Sequence, residues 1–136
     1  MLYFAYGMNT NNNQMNPTAE RLGPAVLPNY TWEMLLYANV YYEEGTSALG
    51  ILWEIDDEVL AGLDQREGFP VFYDRVFTDV YHNGATKQAW VYFMTESNRN
   101  HLQGTTPSKH YYESVVEGFA TDGLSVANLN EHNILM

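Results

Sequence analysis

Tyr73-Asp74-Arg75-Val76-Phe77-Thr78-Asp79-Val80-Tyr81 and Thr86-Lys87-Gln88-Ala89-Trp90-Val91-Tyr92-Phe93-Met94 flank the pair Asn83-Gly84. Both arms are rich in β-branched and aromatic residues, and Asn-Gly supplies the positive-φ positions of a tight turn, so the stretch reads as a β-hairpin. Just upstream, Asp56 to Glu67 reads as an α-helix. Asp56 or Asp57 can cap it, Val59, Leu60 and Leu63 form one face, and Gly68 followed by Pro70 ends it.

Further towards the N-terminus, Tyr30–Tyr37 and Ala48–Ile55 read as strands separated by a turn around Glu44-Gly45. Leu2 to Tyr6 is a short apolar strand that stops at Gly7. Asn9 to Asn16 carries five Asn and one Gln, a turn-prone tract without periodicity. Pro17 to Leu22 reads as one or two helical turns opened by Pro. Towards the C-terminus, Thr95 to Thr106 reads as a loop and Pro107 to Phe119 as a second helix, with Tyr111, Val115 and Gly118 or Phe119 sharing a face. A last short helix follows Gly123. Mixed strands with two or three helices around them predict an α+β fold, and the absence of repeats or linkers predicts one domain over residues 1–136.

Composition narrows the function. Hydrophobic residues make up 46% and charged residues 17%, as expected of a folded chain. The 11 Tyr, 6 Phe and 3 Trp point to a β-rich interior or an aromatic-lined cleft. A net charge of −11, with only six Lys and Arg, argues against nucleic acid and against an anionic membrane surface as partners. The same field requires that any anionic substrate meet a locally positive site. With no cysteine, thiol catalysis and thiolate metal sites are excluded. His82, His101, His110 and His132 lack close ligand spacing, so no metal site is expected. Met1 to Tyr6 has no basic segment and soon turns polar, unlike a signal peptide, and no apolar run approaches a membrane span, so a cytoplasmic enzyme is expected.

One acidic residue fits a surface role poorly. Glu67 lies four residues after Leu63 and seven after Leu60, so a helix reaching 67 carries it on the apolar face. It also falls in the last turn, where the macrodipole disfavours a carboxylate, and burial adds to that in raising its pKa. A carboxylate poised nearer neutrality suits general acid–base catalysis. If the helix ends by residue 66, Glu67 points to water instead. Tyr6-Gly7-Met8-Asn9 follows the first strand. There Gly lets consecutive N–H groups converge on one anion, although a Gly after a strand also marks an ordinary turn. The hydroxyls of Tyr73 and Tyr111 are candidate donors to a substrate carbonyl or carboxylate.

Four motifs in order resemble the γ-glutamylcyclotransferase family, including its AIG2-like branch. They are Tyr3-Phe4-Ala5-Tyr6-Gly7-Met8-Asn9, similar to the family's Y-G-S-N loop, and Gly50-Ile51-Leu52-Trp53-Glu54-Ile55, similar to its G-x-x-W strand. Then come Leu63-Asp64-x-x-Glu67-Gly68 with Pro70, Tyr73 and Arg75, and Pro107-Ser108-x-x-Tyr111 with Gly118 and Gly123-Leu124. The resemblance implies a small mixed β-barrel with helices packed around it. It implies release of 5-oxoproline from a γ-glutamyl amino acid or amine, by attack of the substrate's α-amine on its own γ-carbonyl, without a cofactor.

In that reaction Glu67 is the implied proton shuttle. Tyr6, Gly7, Met8 and Asn9 are the implied carboxylate-binding loop, and Tyr73 and Tyr111 line the pocket. Met8 stands where the family usually has Ser, which removes a hydroxyl and bears on substrate range. The loop also lacks the Y-G-S-L-x-W form of the glutathione-specific branch. Two other readings compete. One is an AIG2-like domain that binds a small molecule without turning it over. The other is a carbohydrate-active enzyme, which would need a second carboxylate beside Glu67, with Asp64 or Glu54 as candidates.

Overall fold

A computed structural model of the chain describes residues 1–130; His132 lies outside them. Five strands close into a barrel: β1 (Leu2–Ala5), β2 (Glu20–Met34), β3 (Ala38–Glu54), β4 (Tyr73–His82) and β5 (Ala85–Met94), in the order β1-β3-β2-β4-β5. Neighbours run antiparallel except β1 and β5, which pair in parallel through Leu2↔Ala89 and Tyr3↔Trp90 and make the barrel mixed. Three helices surround it: α1 (Asp57–Glu67), α2 (Glu96–His101) and α3 (Lys109–Ala120). The predicted α+β class and mixed barrel are both present. Among the described residues no helix is long and apolar enough to cross a membrane.

Strand alternation sorts the apolar residues into layers. Phe4, Leu27, Leu52, Val80, Ala89 and Val91 belong to one buried cluster drawn from all five strands, the barrel interior. Their neighbours in sequence face outward. Tyr3, Ile51, Trp53, Tyr73 and Tyr92 pack with Val59 and Leu63 of α1. Val26 and Leu49 pack with Val115 and Phe119 of α3. Covered on both faces, β3 is buried continuously from residue 47 to 53.

Four expectations change. Residues 17–22 are not helical, because β2 already begins at Glu20, and Glu20 and Arg21 pair with Glu54 and Trp53. An available strand edge offers a cooperative ladder, which a single costly helical turn cannot match. The strands expected at 30–37 and 48–55 are parts of far longer ones, joined by the bend at Leu35–Tyr37, where Leu35 N–H donates to Tyr37 O at 3.1 Å. Glu44-Gly45 therefore does not join two strands. It lies in a bulge of β3, where pairing passes from Pro28↔Ser47 to Tyr30↔Tyr42. The turn chemistry is genuine, with Gly45 at φ +89 and Asn29 at φ +65, and Asn29 Oδ1 accepts from Gly45 N–H at 3.1 Å. It serves to absorb extra residues within a strand. Finally, the loop expected at 95–106 contains α2.

Candidate active site

The site is assembled where β1 ends and where α1 ends, with α3 packed on the turn that follows β1. After β1 the chain passes Tyr6-Gly7 into a 3-10 turn at Met8–Thr10. Thr10 closes the turn, its N–H and Oγ1 donating to Gly7 O at 3.1 and 2.7 Å. Residue 7 must be small, because a Cβ there would sit 3.1 Å from both Ala38 Cβ and Tyr111 Oη. Gly118 of α3 is the matching contact from behind. A Cβ on it would overlap Thr10 Oγ1 and the Asn11 backbone, so the missing side chain lets the helix lie directly on the turn. Arg21 braces the junction, with Nη1 donating to Thr10 O at 2.5 Å and Nη2 to Gly118 O at 2.9 Å.

Helix α1 begins where Asp56 Oδ1 accepts from Val59 N–H at 2.8 Å, and it ends at Gly68, which is left-handed at φ 66. Its last turn is held from outside. The Asp64 carboxylate accepts from Arg75 Nε at 2.8 Å, Arg75 Nη2 at 3.2 Å and Tyr92 Oη at 2.6 Å. The Arg75 guanidinium lies over the rings of Phe69 and Trp90, at 4.4 and 4.1 Å. The helix does reach residue 67, so Glu67 stays on the inward face, half-buried, rather than pointing to water.

Glu67 faces a cavity of about 440 Å³ and is the only carboxylate lining it among the described residues. Asn9 connects it to the loop: its Nδ2 donates to Glu67 Oε1 at 3.3 Å and to Tyr3 Oη at 2.9 Å. The Asn9 Oδ1 accepts from Arg66 Nη2 at 3.0 Å. Burial raises the Glu67 carboxyl above its ordinary value, and Arg66 and the Asn9 hydrogen bond offset part of that rise. Burial is also the main cause of the raised phenol pKa values of Tyr3, Tyr6 and Tyr73, and it lifts Tyr111 to about 12. These tyrosines are neutral hydroxyls near pH 7.

All seven residues singled out from the sequence, Glu67, Tyr6, Gly7, Met8, Asn9, Tyr73 and Tyr111, line this cavity. Their hydroxyls differ from expectation in one respect. Tyr73 Oη donates to Ala38 O at 2.8 Å, so its proton is committed inside the protein. Tyr111 Oη instead accepts from Ala38 N–H at 3.0 Å, which leaves its own proton for a ligand. Tyr3 is placed likewise, accepting from Asn9. Asp64 and Glu54 do not line the cavity: Asp64 is held by Arg75 and Tyr92, and Glu54 pairs with the N-terminal amine at 3.3 Å. Among the described residues, the carboxylate pair that a glycosidase would need is therefore not formed.

Sequence reading missed Tyr3, Tyr37, Arg66, Phe72 and Tyr92 in the lining. For Tyr3 and Tyr92 a signal existed, since strand alternation puts them on the face opposite Phe4 and Val91.

A closed mixed barrel with one burial-raised carboxylate beside a glycine loop defines a candidate small-molecule site. The model of the gamma-glutamyl cyclotransferase, AIG2-like family matches residues 3–113. The chain belongs to that family. No curated protein sequence matches it. Among solved structures, an uncharacterised protein from Homo sapiens superposes with a TM-score of 0.78 at 23% identity, over 93% of this chain and 82% of that one. A gamma-glutamyl cyclotransferase gives 0.77 at 20% identity, over 98% and 90%. An AIG2-like protein from Mus musculus gives 0.58 at 19%, over 76% and 82%. At these identities the likeness speaks for the fold.

Proposed function

We propose that the chain releases 5-oxoproline from a γ-glutamyl amino acid or γ-glutamyl amine, with Glu67 as general acid and base. The observation that carries this reading is the placement of Glu67. It is the single cavity carboxylate among the described residues, raised by burial and tied through Asn9 to the loop after β1.

The chemistry asks little more of the protein. Glu67 takes a proton from the substrate's α-ammonium, and the freed amine nitrogen attacks the γ-carbonyl carbon. The new C–N bond closes the five-membered ring, Glu67 returns its proton to the leaving nitrogen as the bond to it breaks, and the second proton of the ring nitrogen passes to the departing amine, which leaves as its ammonium. Because the attack is intramolecular, the site need only hold the folded-back conformer, and no covalent enzyme intermediate forms. The N–H groups of Gly7 and Asn9 donate to no acceptor among the described residues and are available to the α-carboxylate. The free protons of Tyr3 and Tyr111 suit the oxygen on which charge develops.

Incubation with a panel of γ-glutamyl amino acids and γ-glutamyl amines, with 5-oxoproline as the readout, tests the proposal. Product from the wild type and far less from Glu67→Gln supports it. Equal product from both, or none across the panel, rejects it.

A further inference from the structure

We infer that the outer half of the cavity is a subsite for an aromatic group on the leaving amine, built by Tyr37 and Phe72. The inference rests on the cyclotransferase reading and names the substrate feature that the remaining space selects. A volume of about 440 Å³ falls in the range of about 300–1,000 Å³ that encloses drug-sized ligands, more than a γ-glutamyl group alone fills.

The cavity is chemically two-sided. Its deep end holds the polar groups: Asn9, Tyr3, Tyr6 and Tyr73 are all nearly fully buried there. Its mouth carries aromatic rings beside the exposed Gln65, Arg66 and Gly68. Tyr37, in the bend between β2 and β3, is 40% exposed yet lines the cavity. Its ring meets Phe72 edge-on at 6.0 Å and Tyr111 edge-on at 5.4 Å, and Phe72 continues to Tyr73 at 5.2 Å. These four rings form a continuous chain from solvent inward to the Ala38 carbonyl that Tyr73 holds.

A large ring exposed at a cavity mouth leaves apolar area in water that a ligand can cover. The Tyr37 hydroxyl has no hydrogen-bond partner among the described residues, and its ring packs edge-on against Phe72 and Tyr111. Arg66, the one cation in the lining among the described residues, is directed elsewhere, donating to Gln14 O at 2.8 Å and Asn9 Oδ1 at 3.0 Å. With the γ-glutamyl half at the Glu67 end, the leaving amine extends towards Tyr37 and Phe72. What it meets there is ring surface suited to stacked or edge-on contact.

Two substrates differing only in that group isolate the effect: γ-glutamyl-phenethylamide and γ-glutamyl-ethylamide, each assayed for 5-oxoproline. Hydrophobic pockets discriminate by about 10–200-fold for one methylene, so we expect a kcat/KM preference of about tenfold or more for the phenethyl compound. Tyr37→Phe keeps the preference, because it keeps the ring. Tyr37→Ala and Phe72→Ala bring the ratio towards one, because they remove ring surface that only the phenethyl group covers. Equal kcat/KM for the two substrates in the wild type overturns the subsite, as does a preference that survives both alanine variants. Absence of 5-oxoproline from both, and from the wider γ-glutamyl panel, instead removes the cyclotransferase reading on which the subsite stands.

Discussion

Asn9 and Glu67, 58 residues apart in sequence, meet through a 3.3 Å hydrogen bond from the amide Nδ2 to the carboxylate Oε1. This contact makes the loop after β1 and the end of α1 a single electrostatic unit. The amide favours the charged carboxylate and so works against the effect of burial.

Asn9→Ala removes that opposition, so the pKa of Glu67 rises further. A general base acts in its ionised form, and the acid limb of the kcat/KM profile follows its pKa. We expect the limb to move to higher pH in Asn9→Ala, with activity converging on the wild type on the alkaline side. A limb that stays in place, or moves to lower pH, contradicts the role given to this contact.

Glu67→Gln tests catalysis and stability together. The loss of proton transfer predicts a decrease of about 10²–10⁴-fold in kcat. The stability effect runs the other way. A carboxyl whose folded-state pKa is raised favours folding below its unfolded pKa, and this contribution is lost as pH rises through the folded value. A permanently neutral Gln avoids the loss. The variant should therefore melt higher than the wild type at neutral pH, with the gap closing below the carboxylate range, as thermal denaturation across pH can establish.

Gly7→Ala places a methyl group 3.1 Å from Ala38 Cβ and Tyr111 Oη. The loop must shift away from α3 or displace the tyrosine, and either disturbs the free N–H groups. Overpacking of this kind costs about 1–3 kcal/mol. We expect a raised KM for γ-glutamyl substrates, and wild-type KM and kcat in this variant would count against the loop as the carboxylate cradle.

Gly118→Ala acts from the far side of the same turn. Its methyl group would overlap the Asn11 backbone as well as Thr10 Oγ1, and backbone cannot swing aside. A destabilisation of about 1–3 kcal/mol is expected, again from overpacking. Denaturant unfolding provides the measurement; an unchanged midpoint would show that the helix can withdraw without cost.

The hairpin at residues 73–94 and helix α1 were legible because local chemistry decides them: Asn83-Gly84 makes the turn, Asp56 and Gly68 cap the helix. The phase from Leu63 to Glu67 followed from the same helix. β2 and β3 were not legible at full length, because Gly23, Pro24, Pro28, Asn29 and Gly45 read locally as interruptions. Two register shifts, at Arg21/Gly23 and Pro28/Tyr30, let the pair run past them. Asn9 was singled out for its place in a loop motif, but its hydrogen bond to Glu67 was invisible, since nothing in a polar tract reveals which Asn a distant carboxylate will meet. Tyr37 and Phe72 read as ordinary aromatics, and closure of the barrel is what brings them to one opening.

The Arg21 brace has a consequence for dissection of the molecule. It joins the loop at Thr10 to Gly118 and Asp122, positions beyond the 3–113 segment that carries the family match. A fragment trimmed to residues 3–113 would retain Glu67 and Asn9 yet lose the abutment against which their loop is set. The active centre is therefore not portable. It cannot be grafted as a cassette, and any minimal version of this site must carry the whole of its closing helix.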